Sequence, residues 1–248
     1  MPDFVVVIPA RYESTRLPGK PLREILGKPM IQHVCERGEE SGASEVIVAT
    51  DDERIAETVE GFGGTVCMTG QHHQSGTERI AEVADLCDWG DDTIVVNLQG
   101  DEPAMPAVVL DECASLLEQS GADIATLASP LRSLEDFRNP NVVKVVRSDA
   151  GDALYFSRAT IPYPRNAGSD EEATQLALHH HGIYGYRCEA LRRFVEAPAS
   201  RLEQVEALEQ LRALSIGMRI AVGEPSERPG AGVDTEADLA AAEAELSR

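Results

Sequence analysis

An α/β chain with a doubly wound, mostly parallel sheet is what the sequence predicts, and three observations carry that expectation. Short apolar runs alternate with amphipathic helical patterns through the first half of the chain, the signature of parallel βαβ units. The first run, Phe4 to Ile8, passes directly into a loop rich in Pro, Gly and cations, and the carboxyl end of such a strand is where open α/β sheets bind ligands. With 248 residues the chain can bury a full core as one large domain, with room for a smaller excursion.

In chain order, strands are expected at Phe4 to Ile8, Glu45 to Thr50, Thr65 to Met68, Thr93 to Gln99 and Asp123 to Ala128, each a short apolar run. Between them, apolar positions recur with helical period at Met30 to Ser41, Asp52 to Phe62, Thr77 to Cys87 and Ala107 to Gln119. Asp51 and Ser75 stand near two of these starts as capping residues. After about Pro130 the pattern changes. Val142 to Arg147 and Ala153 to Ser157 flank Asp149-Ala150-Gly151-Asp152 and form a predicted β-hairpin. A Pro-rich, acidic stretch from Ile161 to Ala173 comes next, and then an apolar strand, His181 to Tyr186. Leu202 to Leu214 is expected to be one amphipathic helix, and Asp234 precedes a closing acidic helix. No internal repeat or low-complexity linker divides residues 1–248, so a single domain is expected, with parts at 1–129, 130–200 and 201–248.

The formal net charge of -21 argues against nucleic acid as a partner, because a polyanion is repelled from most of this surface. Much of the acidity lies in helical segments such as Glu36 to Glu40 and Glu236 to Glu245, the pattern of a solvated face. Adaptation to a saline habitat is an alternative source of the same composition. No apolar stretch reaches membrane-spanning length, and Met1-Pro2-Asp3 lacks the basic and apolar regions of a signal peptide, so a cytoplasmic protein with no membrane partner is expected. Cys35, Cys67, Cys87, Cys113 and Cys188 are odd in number and widely spaced, and are expected to be buried reduced thiols rather than zinc ligands.

The opening loop runs Pro9-Ala10-Arg11-Tyr12-Glu13-Ser14-Thr15-Arg16-Leu17-Pro18-Gly19-Lys20-Pro21-Leu22. It is not a Walker A loop, which needs a glycine where Ser14 stands and a Ser or Thr where Pro21 stands. Phosphates would therefore be held mainly by side-chain cations, Arg as a fork of donors and Lys as a mobile point charge. Asp101 comes after an apolar strand and Gly100, which lets the chain turn and leaves a carboxylate at the sheet's edge. A hard cation such as Mg²⁺ needs only one or two protein carboxylates when phosphate and water supply the rest. Asp234, taken by itself, is favoured as a helix cap.

Six further segments accompany the loop: Ala49-Thr50-Asp51, His73-Gln74-Ser75-Gly76-Thr77-Glu78-Arg79, Asn97-Leu98-Gln99-Gly100-Asp101-Glu102-Pro103, Tyr155-Phe156-Ser157-Arg158-Ala159-Thr160-Ile161-Pro162, Gly182-Ile183-Tyr184-Gly185-Tyr186 and Gly232-Val233-Asp234-Thr235. Together, in this order, they resemble the 3-deoxy-manno-octulosonate (Kdo) cytidylyltransferases, the CMP-Kdo synthetases. The resemblance implies a Rossmann-like nucleotidyltransferase fold in which 1–129 is mainly nucleotide-binding. It makes 130–200 a β-containing sugar-binding and dimerisation excursion, and 201–248 the source of the second metal carboxylate.

The reaction implied by the resemblance is attack by the anomeric hydroxyl of Kdo on the α-phosphorus of CTP, giving CMP-Kdo for bacterial lipopolysaccharide and releasing pyrophosphate. The same resemblance implies Mg²⁺ as cofactor, a homodimer, and catalytic roles for Arg11, Lys20 and Asp101, with metal held by Asp101 and Asp234. Nucleotide contacts are assigned to Pro9, Ala10, Arg11, Lys20, Ser75, Gly76, Arg79 and Gln99, although Arg79 could equally pair with Glu78 or Glu82 on a helix face. Sugar contacts are assigned to Arg16, Arg158, His180, Tyr184, Glu209 and Gln210, with Glu209 alternatively a solvated charge. The His179-His180-His181 run is not a predicted metal site, because consecutive strand residues face opposite ways. Pro162-Tyr163-Pro164-Arg165 and the acidic loop after it depart from the family pattern, as does His181 at a usually apolar position. The alternatives are transfer to another acidic sugar, 8-amino-Kdo or a sialic acid, and a catalytically silent nucleotide-sugar sensor.

Overall fold

The computed structural model describes residues 2–14, 16–166 and 170–247, with no side chains described at 170–172. Thr15 of the opening loop and part of the stretch Ile161 to Ala173 therefore lie outside the described residues. In chain order the elements are β1 (Phe4–Ala10), β2 (Glu24–Ile25), β3 (Lys28–Pro29), α1 (Met30–Glu39), β4 (Glu45–Thr50), α2 (Glu53–Gly61), β5 (Thr65–Met68), α3 (Gly76–Leu86), β6 (Ile94–Asn97), α4 (Ala107–Ser120) and β7 (Ile124–Pro130). Then come α5 (Leu134–Arg138), β8 (Lys144–Arg147), β9 (Ala153–Ser157), α6 (Asp170–Leu176), β10 (Leu178–Arg187), α7 (Cys188–Glu196), α8 (Arg201–Glu206), α9 (Gln210–Ser215), β11 (Ile220–Gly223) and α10 (Glu236–Leu246).

The main sheet has the order β11-β7-β10-β6-β1-β4-β5, with the β8–β9 hairpin attached through β8 to β10. β1 lies parallel to both β4 and β6, β4 parallel to β5, and β7 parallel to β11. β10 is the antiparallel insertion, paired with β6 on one side and β7 on the other. β1 is buried on both faces, which is why its sequence is a continuous apolar run. Val5 and Val7 join a core with Ile80, Leu191 and Leu211, under α3, α7 and α9. Phe4, Val6 and Ile8 join the opposite core with Ile31, Ile55 and Leu110, under α1, α2 and α4. The sheet is thus doubly wound, and the crevice at the carboxyl end of β1, between β4 and β6, is the point at which its winding reverses.

Several expected elements differ. The strand expected at His181 to Tyr186 is the longer β10, with a register irregularity between His180 and Tyr184. Leu202 to Leu214 is two helices, broken where Ala207 takes φ of 50°, a left-handed conformation that ends α8. Asp51 does not cap α2; Asp52 does, accepting from the Arg54 backbone at 3.0 Å. Of the cysteines, Cys35, Cys113 and Cys188 are buried free thiols, but Cys67 is half-buried and Cys87 exposed.

The excursion is fastened by one buried cation. Fully buried Lys144 donates to the carbonyls of Asn139 at 2.7 Å, Val142 at 2.6 Å and Arg158 at 2.8 Å. Burial, then the Arg158 charge, holds its pKa below the ordinary lysine value. Lys144→Met leaves three carbonyls without their donor, so urea unfolding is expected to show a loss of about 3 kcal/mol. An unchanged midpoint would contradict this role.

Candidate active site

The loop leaving β1 is closed on itself. Gly19 takes φ of 66° and its N–H donates to the Tyr12 carbonyl at 3.2 Å, a backbone conformation that disfavours any side chain. The Tyr12 ring packs against Gly19 on one side and lies under the Arg54 guanidinium, 3.3 Å from its centroid, on the other. Arg54 is itself fixed by the Asp52 carboxylate at 2.6 and 2.9 Å. Leu17 enters a small core with Ile25, Met30 and Val233, drawing the loop against the segment that carries Asp234.

Lys20 is the centre of the resulting knot. Its Nζ donates to Asp101 Oδ2 at 2.7 Å, to Asp234 Oδ1 at 3.0 Å and to the Val233 carbonyl at 3.0 Å, while Arg16 reaches the other Asp234 oxygen at 3.0 Å. The Val233 N–H donates to the Asp101 carbonyl at 2.8 Å, tying the two carboxylate-bearing segments together. Burial disfavours the ammonium, but Asp101 and then Asp234 outweigh it, so the Lys20 pKa stands above the ordinary value. Gly100 allows the approach: a Cβ there would lie 2.8 Å from the Pro9 carbonyl oxygen. Asp234 does not cap α10. Thr235 does, in a capping box with Asp238, which leaves the Asp234 carboxylate to face Lys20.

Two clefts open beside the loop. One, of about 390 Å³, is lined by Pro9, Arg11, Lys20, Gln99, Asp101 and Asp234. The other, of about 1000 Å³, is lined by Arg11, Tyr12, Asp51, Gln74 and Arg79. Arg11 donates to the Gln74 carbonyl at 3.1 Å. Arg79 is almost fully buried and pairs with neither Glu78 nor Glu82; its partners are Asp51 at 3.2 Å and the Thr69 hydroxyl, with Nε left unpartnered. Burial, with Arg11 nearby, lowers its pKa against the pull of Asp51. Ser75 caps α3, accepting from the Glu78 N–H at 3.2 Å, and Gly76 is the helix's first residue.

A second group lies deeper. His180 Nε2 is 3.0 Å from the Thr126 hydroxyl, whose own proton goes to the Ile183 carbonyl at 2.6 Å. His180 therefore donates through Nε2 and keeps Nδ1 as an acceptor. Its ring centroid is 5.2 Å from that of Tyr184. Tyr184 Oη, Glu209 Oε1 and Gln210 Nε2 are buried without hydrogen-bond partners, as is Asn97 Oδ1, and Tyr184 lies opposite Asn97 in the β10–β6 register. Buried polar atoms are rarely left unpaired except where a ligand or water completes them.

Of the expected sugar residues, Arg158 is differently engaged. Its guanidinium donates to the carbonyls of Glu206 at 2.8 Å, Pro140 at 3.1 Å and Ala207 at 3.3 Å, and Arg16 is the exposed partner of Asp234.

Residues 5–220 match the family described as cytidylyltransferase. The chain belongs to the cytidylyltransferase family. Among solved structures, a CMP:2-keto-3-deoxy-manno-octonic acid synthetase complexed with CTP is 45% identical, with a TM-score of 0.91 over 99% of each chain. A cytidylyltransferase from Leptospira borgpetersenii serovar Hardjo-bovis (strain JB197) is 18% identical, with a TM-score of 0.63 over 99% of this chain and 87% of that one, and shares the fold. The resemblance drawn from the seven segments is thus borne out.

In this cytidylyltransferase the sequence passes over Asp51 as the Arg79 partner, Asn97, Thr77 and Glu102. Glu102 Oε2 is buried and unpartnered, and burial, then the Asp101 charge, raises its pKa well above the usual carboxylate range. Each stands inside one of the motif segments, yet only the packing distinguishes it from its neighbours. No helix among the described residues is long and apolar enough to cross a membrane.

The histidine run predicts an acid sensitivity. Burial, then His181 and His179, pushes His180 down to about 3. Burial, then His179 and two arginines, does the same to His181. Both are ordinarily near 6.5, so unfolding takes up protons below that pH, and the stability they contribute is complete above 6.5 and falls as pH drops towards 3. Glu102 opposes this, because its raised pKa makes the folded state the proton holder above pH 4.5. His181→Leu is expected to flatten the pH dependence of urea unfolding by up to about 1.4 kcal/mol per pH unit below neutrality. An unaltered slope would mean that His181 binds protons equally in the folded and unfolded chain.

Proposed function

We propose that this cytidylyltransferase couples CTP to Kdo, giving CMP-Kdo and pyrophosphate, the activated sugar serving lipopolysaccharide synthesis. The observation that carries the reading is the Lys20–Asp101–Asp234 knot at the carboxyl edge of β1, in a chain 45% identical to a CMP-Kdo synthetase along its length.

The donor set fits Mg²⁺. Asp101 and Asp234 present hard oxygen ligands that already converge on one cation, the Lys20 ammonium, and among the described residues no third His, Cys, Asp or Glu joins them. Two carboxylates suffice for a metal that also takes phosphate and water. When bound there, Mg²⁺ neutralises triphosphate charge and acidifies the attacking hydroxyl. Lys20 and Arg11 then stabilise the charge that develops on the α-phosphoryl oxygens and the departing pyrophosphate. Cytosine is read by the Pro9–Ala10 backbone with Ser75, Gly76, Arg79 and Gln99, groups able to match an amino donor and ring acceptors. Arg79, buried and held by Asp51, presents a fixed donor rather than a swinging one.

Kdo is held by His180, Tyr184, Glu209 and Gln210, three of which have buried, unpartnered polar atoms, and Arg16 and Arg158 contribute positive charge towards its carboxylate. A cytoplasmic homodimer completes the proposal. Exposed Leu154 and Tyr163 on the excursion support that contact.

Pyrophosphate release tests the reading, with CTP and Mg²⁺ and either Kdo, 8-amino-Kdo or N-acetylneuraminate supplied in parallel, and UTP as the nucleotide control. Release with Kdo and CTP alone is expected. Preference for another acid would overturn the sugar assignment, and binding of CTP without release would overturn the enzyme.

A further inference from the structure

Thr77 occupies the second position of α3, directly after Ser75 and Gly76 of the proposed nucleotide segment. It is almost fully buried. A threonine there satisfies no helical need, since Ser75 already caps the helix. Its hydroxyl instead crosses to the far end of the chain and donates to Glu209 Oε2 at 2.8 Å. The bond places the Glu209 charge near the amino end of α3, where the helix favours an anion.

Glu209 is thereby held by one oxygen and offers the other. Oε1 is buried and has no partner. Free rotation would let the carboxylate relax away from any ligand, and the Thr77 bond forbids it.

We infer that Thr77 is a positioning residue for the sugar. It fixes the carboxylate of Glu209 so that Oε1 meets a sugar hydroxyl, and it makes the segment that binds the nucleotide bear directly on the segment that binds the sugar. The inference rests on the assignment of Glu209 to the sugar site.

Steady-state pyrophosphate release, with Kdo and CTP varied separately, tests it on Thr77→Val, Thr77→Ser and Glu209→Gln. Thr77→Val keeps the volume and loses the donor. It is expected to raise the KM for Kdo roughly tenfold or more, the scale of a hydrogen bond to a charged group, with the KM for CTP within about twofold of the parent. Thr77→Ser, which keeps the hydroxyl, is expected to restore the Kdo KM. If Thr77→Val changes neither KM while Glu209→Gln raises that for Kdo, the inference is overturned and the sugar site stands. If Glu209→Gln is also without effect, the sugar assignment falls as well. If Thr77→Val raises both KM values, lowers the melting temperature and is not rescued by serine, Thr77 serves packing alone and the inference is overturned.

Discussion

Asp101→Asn is expected to lower turnover by roughly a thousandfold while leaving the fold intact, as expected when a preorganised charge on a phosphoryl-transfer site is removed. Asn matches Asp in size and keeps one oxygen, so the turn at Gly100 and the bond from Val233 to the Asp101 carbonyl should persist. What disappears is one of two formal charges facing Lys20. A divalent cation bound there would retain a single carboxylate, with a correspondingly weaker hold on the triphosphate. The check is turnover alongside circular dichroism of the unliganded chain. Activity within about tenfold of the parent would be too small a loss for a metal-bearing carboxylate.

Lys20→Met is expected to lower turnover by about a hundredfold to a thousandfold, because it removes the cation proposed to stabilise the departing pyrophosphate. Arg is not expected to rescue it. Lys20 fits a compact ammonium between two carboxylates and a carbonyl at 2.7 to 3.0 Å, a geometry that a planar fork cannot reproduce. The same substitution carries a second signature. Without the ammonium, Asp101 loses its cation and Asp234 keeps only the exposed Arg16, so Mg²⁺ should raise the melting temperature of the variant more than that of the parent. Equal shifts, or turnover within about threefold of the parent, would place Lys20 outside the chemistry.

The proposed nucleotide side of the molecule was largely legible because its signals are local. The continuous apolar run of β1, the Pro and Gly of the loop, and the glycine before Asp101 each act on the backbone within a few residues, and the structure has them at the sheet edge as expected. Lys20 and Asp234 pair across 214 residues of sequence, and only the resemblance could join them. On the proposed sugar side, the break between α8 and α9 was hidden because Leu202 to Leu214 keeps a helical apolar pattern across Ala207, whose left-handed backbone is one that alanine does not signal. The small β2–β3 hairpin, α7 and β11 also escaped, being short or read as part of longer irregular segments. Arg79 shows the limit most plainly. Spacing offered Glu78 and Glu82 as partners on its own helix, whereas the buried guanidinium turns inward to Asp51, at the end of a different strand.

The proposed reaction joins the α-phosphorus of CTP to the anomeric oxygen of Kdo in one step. The most direct test is the reaction of CTP with Kdo carrying a heavy-oxygen label at the anomeric hydroxyl, with phosphorus NMR and mass spectrometry of the products. The predicted result is CMP-Kdo with the label in the bridge to phosphorus, and unlabelled pyrophosphate in equal amount. CMP and pyrophosphate without a labelled ester, or no consumption of CTP at all, would contradict it.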